Sequence, residues 1–445
     1  MKNGTIIALG RQVCFALVCL LWFGAIVSRA DTHYVSLSGT NDSPYTNGWA
    51  SAATNIQWAV DAAVNAGDKI LVSNDTYMLT NQISITNSVT LQSVNGYTST
   101  VINGNWPAYT TRVVYVNNTG AVISGFTTTN GYSTNQNGCG IYVQMGNLVT
   151  NCLITGNTIT NQTNAVSLYG SGCNFANGKR ISHCIITGNR ALGNQSYMAL
   201  VVGLGIASNC VISGNDGGIS GAGQGALALG DTSGRCTGIN CTVSYNKGLG
   251  VSISPGGYLY SSTVNNNTNN GVGINGQGTV RNCLITRNGG YGILIGSPFY
   301  YSGNDRIENC TIAHNVSTGV YFIYDPHYTN YVDNSIIYYN GPGGTNNWGF
   351  VGTNITYTNC CIYPIPTNVP GQPEGTGNIT NEPLFQDTNS GNYHLSQSSP
   401  CINRGTNQSW MTNAVDLDGR MRIRYGRVDM GAYERIYEGS IYTVH

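Results

Sequence analysis

From residue 151 onward the chain alternates apolar and polar positions in very short runs, and the runs repeat. NCLITGN at residues 151–157 returns as HCIITGN from His183, NCVISGN from Asn209, NCTVSYN from Asn240, NCLITRN from Asn282 and NCTIAHN from Asn309. Degraded copies, SSTVNNN from Ser261 and NSIIYYN from Asn334, fill the gaps, and NCC at Asn359 starts a last one. From Cys152 to Cys360 the series makes eight steps over 208 residues, each between 21 and 32 long, the mark of a repeat with variable loops. Within a copy the Cys and the following Ile or Val are two apart, so on an extended chain they share one face. A second apolar stretch precedes most copies: GALAL from Gly225, GVSI from Gly250, GVGI from Gly271, GILI from Gly292 and GVYFI from Gly319. Each unit therefore holds at least two strands, separated by Asn and Gly turns.

Identical residues at equivalent places predict a coiled solenoid, in which every strand pairs with the same strand one turn on and the Cys, the Ile and the closing Asn stand in columns. The Asn column has a physical reason: a turn amide bonds both its own backbone and the next amide in the stack. Over roughly residues 69–363 these repeats resemble the right-handed parallel β-helix of pectate-lyase-like proteins. That resemblance implies an all-β solenoid, and it is specific for fold rather than for activity. Ahead of the coils Ile56, Ala59, Val60, Ala63 and Val64 fall at helical spacing, with Thr54 as N-cap. A short helix there is expected to cap the solenoid's open apolar end. The expected organisation is a leader at 1–30, a strand and capping helix at 31–68, the β-helix at 69–363, a Pro/Gly linker at 364–380 and a β-rich C-terminal strap at 381–445.

Composition changes the picture in three ways. Lys2 and Arg11, the apolar run from Val13 and the small-x-small site Ser28-Arg29-Ala30 read as a secretory signal peptide. The run has 15 residues, short of the about 20 that a span needs, so a mature chain without a membrane span is expected, secreted or at the cell surface. Without the leader, 16 basic face 19 acidic residues, a net charge of −3, and no nucleic-acid footprint follows. Only 9% of residues are charged; Asn, Thr, Ser, Gly and Tyr give a neutral, hydrogen-bonding, aromatic surface that suits sugars better than phosphates. Fourteen Cys in an exported chain ordinarily read as disulfides. Here Cys152, Cys184, Cys210, Cys241, Cys283 and Cys310 hold one repeat position, and Ser262 and Ser335 replace Cys there. Side chains in such a column point in parallel, which predicts a packed thiol ladder. No CxxC or Cys/His cluster suggests a metal.

Beyond residue 381 the motifs PLF, YHL, SPCINRG, DLDG and DMGAYE occur in order. They resemble the C-terminal module called choice-of-anchor Q, found after β-helices in exported bacterial proteins, and imply an association with the cell surface. Asp416, Asp418, Asp429 and Glu434 lie there among Arg420, Arg422, Arg424, Arg427 and Arg435. Two readings stand: an ion-paired strap holding the segment to the last coils, which is favoured, and a calcium site, for which Asp-Leu-Asp-Gly lacks the distant Glu of an EF-hand. No cofactor is expected, with calcium as the alternative.

Candidate chemistry comes from the connections that precede the Cys strands. They run long before Cys241, short before Ser262 and Cys283, and long before Cys310 and Ser335, a profile that describes a trough. Its floor would hold Pro255, Gly256, Gly257, Gly276 and Gln277, with Tyr258 and Tyr260 near. One wall would carry Asp231 and Arg235, the other Phe299, Tyr300, Tyr301, Asp305 and Arg306, then Tyr324, Asp325, His327 and Tyr328 one rung of about 4.8 Å beyond. Aromatic faces with a few acids, a guanidinium and an imidazole are what carbohydrate sites use to stack, orient and move protons. Tyr324-Asp325-Pro326-His327 resembles the Tyr-x-x-Asp-Pro-His stretch of mannuronan C5-epimerases. Asp325 and His327 match it, the family's Tyr falls on Phe322, and Tyr321 and Tyr324 lie beside it. The resemblance implies a catalytic role for Asp325 and His327; Tyr324 beside them is a further candidate, and Arg306 in the preceding coil is the candidate cation for the enolate. An ordinary Asp-Pro turn is the competing reading. The expectation is thus a monomeric secreted β-helix that binds an extracellular polysaccharide along its side, with lyase-like or C5-epimerase-like action on uronates left open. The alternative is a non-catalytic surface adhesin or structural rod.

Overall fold

One coil shows how the pattern folds. Gly257–Tyr260, Thr263–Asn265 and Val272–Ile274 are three consecutive strands, and each pairs in parallel with its counterpart in the next repeat, Thr279–Arg281, Leu284–Thr286 and Ile293–Ile295. Continued along the chain, these strands form three faces, here face 1, face 2 and face 3 in the order just given. The computed structural model describes residues 29–134, 136–160, 173–192, 199–217, 225–230, 235–296, 304–323, 328–351, 354–366 and 376–436. The protein is an all-β right-handed parallel β-helix with one short N-terminal helix and C-terminal strands. The long strand Ile141–Thr150 runs from face 3 into face 1 and joins the two.

Both Asn residues of the repeat have a task. The opening one makes the corner between faces 1 and 2 in the left-handed region, with φ of 51° at Asn151, 53° at Asn209, 56° at Asn282 and 50° at Asn334, a conformation that Asn tolerates better than most residues. The Cys that follows turns inward, and the column expected from the spacing is there, buried. The cysteines of the described residues are free thiols. Cys283, for instance, donates to Arg281 O at 3.2 Å. Ser262 fits the same place because its hydroxyl donates to Tyr260 O at 2.7 Å and accepts from Cys241 N at 3.1 Å. The closing Asn builds a buried amide ladder. Asn157, Asn189, Asn215, Asn246, Asn267, Asn288, Asn315 and Asn340 each hand both a backbone N–H and a side-chain N–H to the Oδ1 of the next, ending at Asn347.

At the N-terminal end Thr32–Val35 pairs with Lys69–Val72 and opens face 1. The helix is Ile56–Ala62, with Ile56, Ala59 and Val60 buried. Two details differ from the sequence expectation. Its N-cap is Asn55, whose side chain accepts from Gln57 N at 2.7 Å, because Thr54 is already held by Asn41 Oδ1. The helix also ends two residues before Val64, which is 70% exposed. Gln57 explains how the helix closes the sheet: its amide donates to Ser84 O at 3.2 Å and accepts from Ser84 N at 2.7 Å, pairing the exposed edge of the first face 3 strand, Ile83–Ile85.

The C-terminal segment lies along face 2 of the last coils rather than across the end. There the outward column Leu284, Thr311, Ile336 and Cys361 is no more than 6% exposed, whereas Val211 in the same column of an earlier coil is 39% exposed. Leu395, Cys401 and Met430 pack on Ile336 and Cys361, and Tyr393 packs on Leu284 and Ala313. Arg420 pairs with Asp418 at 2.9 Å. Buried Arg422 lies 3.2 Å from Glu434, whose carboxyl is raised to about 9 by burial, and donates to Gly431 O and to Asn282 Oδ1. The carboxylates of Asp416 and Asp429 accept backbone N–H groups of Asp418, Arg420, Glu434, Asn403 and Arg435. Among the described residues no helix is long and apolar enough to cross a membrane.

Candidate functional site

Because the side-chain period of a strand is two, each face 1 strand turns two residues outward, and in-register pairing stacks them into columns. One column runs Thr237, Tyr258, Thr279, Arg306, Tyr331, and the other Ile239, Tyr260, Arg281, Glu308, Asp333. The first column also holds Arg180, two rungs before Thr237, whereas four consecutive rungs of the second read Tyr, Arg, Glu, Asp.

The charges are organised. Arg281 Nε donates to Glu308 Oε2 at 2.6 Å, and Arg306 Nη1 lies 3.9 Å from Glu308 Oε1. The Glu308 side chain is only 5% exposed and the Arg306 side chain 45% exposed, so the carboxylate is fixed and the second guanidinium faces solvent. Arg306 lies over the Tyr331 ring at 4.6 Å, and Arg281 lies between Tyr260 at 5.1 Å and Trp410 at 4.5 Å, cation–π contacts that limit where each guanidinium goes. Burial, and then the neighbouring Glu308 charge, raise Asp333 to about 6, against the pull of Arg306 and of hydrogen bonds from Thr358 and Gln408. Gln408 also accepts from Trp410 Nε1 at 2.6 Å, so the C-terminal segment forms one wall. Chemically, this is an acid that changes protonation near neutral pH, beside a solvent-facing cation and aromatic rings.

The trough keeps its strand ends. The connection between face 3 and face 1 occupies residues 254–256 before Gly257–Tyr260 and 275–278 before Thr279–Arg281, but 296–305 before Arg306–Glu308 and 323–328 before Thr329–Asp333. The last two are the same connection in successive coils, since Ile293–Ile295 pairs with Val320–Phe322 and Arg306–Glu308 with Thr329–Asp333. The walls carrying Asp231, Phe299, Tyr300, Tyr301, Tyr324, Asp325 and His327 lie outside the described residues. Of the rest, Tyr258, Tyr260 and Arg306 share face 1, Tyr258 and Tyr260 with ring centroids 5.7 Å apart. Arg235 is exposed at the start of Cys236–Ile239, and Tyr328 is half-buried beside Thr329. Asp305, expected on a binding wall, is 3% exposed. Its carboxylate accepts from Gly278 N at 2.7 Å, and its own N–H donates to Asn330 Oδ1 at 3.0 Å, so it holds the turn instead of facing a ligand.

Sequence reasoning passed over Arg281, Glu308, Asp333, Tyr331, Gln408 and Trp410. A signal for three of them was present: the residue two before each Cys or Ser of the ladder is the outward position, and there the repeats read Tyr260, Arg281, Glu308, Asp333.

A family model described as the right handed beta helix region matches residues 224–368. No curated protein matches the chain. Among solved structures the chain is similar to XylC in complex with xylose, at 9% identity and a TM-score of 0.53, over 92% of this chain and 99% of that one. It is also similar to the pectate lyase Pel9A, at 17% identity and a TM-score of 0.42, over 92% and 97%. A third match is the A-module of the Azotobacter vinelandii mannuronan C-5 epimerase AlgE4, at 12% identity and a TM-score of 0.45, over 74% and 95%. At such identities a likeness shows fold alone.

Proposed function

We propose that the chain is exported by its leader and, as a monomer, binds an acidic, uronate-containing polysaccharide along face 1, where it acts on the bound sugar by proton transfer at C5. The observation that carries this reading is the column Tyr260, Arg281, Glu308, Asp333 beside Tyr258, Arg306, Tyr331. Arg306, half exposed and braced by Tyr331 and Glu308, takes the sugar carboxylate and offsets the charge of the enolate. Asp333, raised to about 6, accepts or returns the proton, and Tyr258, Tyr260 and Tyr331 offer ring faces to successive sugars. His327, Asp325 and Tyr324 belong to the connection that leads directly into the strand bearing Asp333, and in this proposal they complete the proton-transfer set, with Phe299, Tyr300, Tyr301 and Tyr328 on one wall and Asp231 and Arg235 on the other. The motifs beyond residue 381 resemble the choice-of-anchor Q module, and in this proposal Gln408 and Trp410 form a wall of the site.

The test is a glycan array, followed by incubation with polygalacturonate and alginate, reading unsaturated product by ultraviolet absorbance and epimerised product by proton NMR. Turnover by the wild type that is lost in Arg306→Ala and Asp333→Asn variants of native-like melting supports the reading. Binding without turnover would leave a carbohydrate-binding surface protein, and binding to no acidic glycan would overturn the proposal.

A further inference from the structure

A second track runs along the edge between faces 2 and 3 of the early coils. Tyr132–Ser133, Thr158–Thr160 and Arg190–Leu192 form a narrow parallel sheet, continued by bridges from Arg190 to Asp216 and from Asp216 to Lys247. Ser133, Ile159 and Ala191 point inward and are buried, so Tyr132, Thr158 and Arg190 make one outward column. At its head Trp106 stacks on Tyr132 with ring centroids 3.8 Å apart and planes 9° from parallel.

Trp106 remains 43% exposed, and Tyr109 on the same loop 42%, yet the indole's position is fixed. Trp106 N donates to Asn130 O at 3.3 Å. Asn105 before it takes φ of 64°, with its N–H donating to Asn103 Oδ1 at 2.8 Å and its amide to Leu79 O at 3.2 Å. A single exposed aromatic needs no explanation. An exposed indole stacked on a second ring, over a hydrogen-bonded loop, has already given up the freedom that a ligand would otherwise have to take from it. Two rungs on from Tyr132, about 10 Å along the edge, stands the exposed guanidinium of Arg190, and Asp216 beyond it is paired with Lys247 at 3.4 Å.

We infer that this edge is a second carbohydrate-binding site, separate from face 1, that takes an acidic oligosaccharide with one pyranose ring on Trp106 and a carboxylate one or two sugars further on at Arg190. The rings supply a flat apolar face for the axial C–H groups of the sugar. Thr158 supplies a hydroxyl between them, and Arg190 a planar pair of donors for the carboxylate.

The experiment is isothermal titration of the full chain with oligogalacturonate and with a neutral cello-oligosaccharide of the same length, in wild type and in an Arg306→Ala background that removes the face 1 cation. In that background Trp106→Ala is expected to weaken oligogalacturonate binding about tenfold, the order of one lost stacking face. Trp106→Phe is expected to recover most of that loss, and Arg190→Gln to abolish the preference for the acidic over the neutral ligand. Thermal melts matched to the parent certify that each variant is folded, and recovery by Trp106→Phe separates stacking from a general loosening of the loop. Oligogalacturonate affinity unchanged by Trp106→Ala, or no binding at all in the Arg306→Ala background, would overturn the inference.

Discussion

Replacing Asn267 with Ala isolates what keeps successive coils in register. The Asn267 amide donates to Val243 O at 3.1 Å and to Asn288 Oδ1 at 3.0 Å, while its Oδ1 accepts from Asn246 N at 3.1 Å and from Asn246 Nδ2 at 3.0 Å. Alanine deletes all four bonds. Three of the partners keep another contact: Asn246 Nδ2 still donates to Ile212 O, Asn288 Oδ1 still accepts from Asn267 N, and the Val243 carbonyl keeps its place in the parallel ladder with Thr263–Asn265. The Asn246 N–H is stranded, in a residue that is 0% exposed. At about 1–3 kcal/mol for a buried group left unsatisfied, the expected loss is about 2 kcal/mol. Solenoid coils interact with their nearest neighbours, so the loss appears locally: amide hydrogen exchange at Asn246 should quicken by about thirtyfold. Asn267→Asp is the sharper companion. It keeps an acceptor for Asn246 N–H but turns a carboxylate toward Val243 O and Asn288 Oδ1, so its folded pKa is raised and its stability recovers as pH falls through that value. Exchange at Asn246 within threefold of wild type in Asn267→Ala would refute the ladder as the source of register.

Three further outcomes are expected. Asp333 is held near 6 against an ordinary value of 3.8, so the folded state binds its proton more tightly; stability falls as pH rises from about 4 to about 6, by about 3 kcal/mol, and stays lower above. Asp333→Asn should remove that part of the pH–stability curve, and an unchanged curve in denaturant melts would sink the assignment. Trp410→Ala should free Arg281 from its place between two rings and shift the Asp333 titration, read by carbon NMR of the labelled carboxyl, with Trp410→Phe restoring it; a titration unmoved by Trp410→Ala counts against the wall. Deleting residues 54–66 removes Gln57 from the Ser84 edge and uncovers the first coil, so light scattering should detect end-to-end association; a monomer of unchanged melting temperature would show that the helix is no cap.

The solenoid was legible because its columns are written in the chain. A Cys and an Ile two apart, repeated with turns of Asn between, admit few other folds, and the Ser replacements at Ser262 and Ser335 mark the same place. The opening Asn was less legible: nothing in its identity distinguishes a left-handed corner from an ordinary turn until the backbone is seen. Thr54 and Asn55 are both good caps, and only the competing bonds from Asn41 decide between them. The charged column was not legible in the strands, because an Arg, a Glu and an Asp scattered over more than fifty residues, Arg281 to Asp333, become neighbours only once the register is fixed. Trp410 carried no sequence signal, since no periodicity predicts that the C-terminal segment doubles back beside face 1.

The return of that segment ties the strap to the site through the corners. Arg281, Glu308 and Asp333 are each followed directly by a corner residue, Asn282, Asn309 and Asn334, and each of these corners is bonded by the C-terminal segment. Asn282 donates to Val415 O and accepts from Arg422, Asn309 donates to Asp429 O, and Asn334 donates to Thr406 O and accepts from Thr406 N. The corner backbone stays in the ladder, since Asn282 N donates to Glu308 O, Asn309 N to Asp333 O and Asn334 N to Thr358 O, and the C-terminal segment adds bonds to the corner side chains. Pinning these three fixes the strand ends that carry the charged column, while Trp410 and Gln408 fix the side chains from the solvent side. The proposed function requires the charged groups to be held within a fraction of an ångström, and the C-terminal segment adds to the rigidity that the ladder supplies. The C-terminal segment is therefore packed on and bonded to the same coils that carry the charged column.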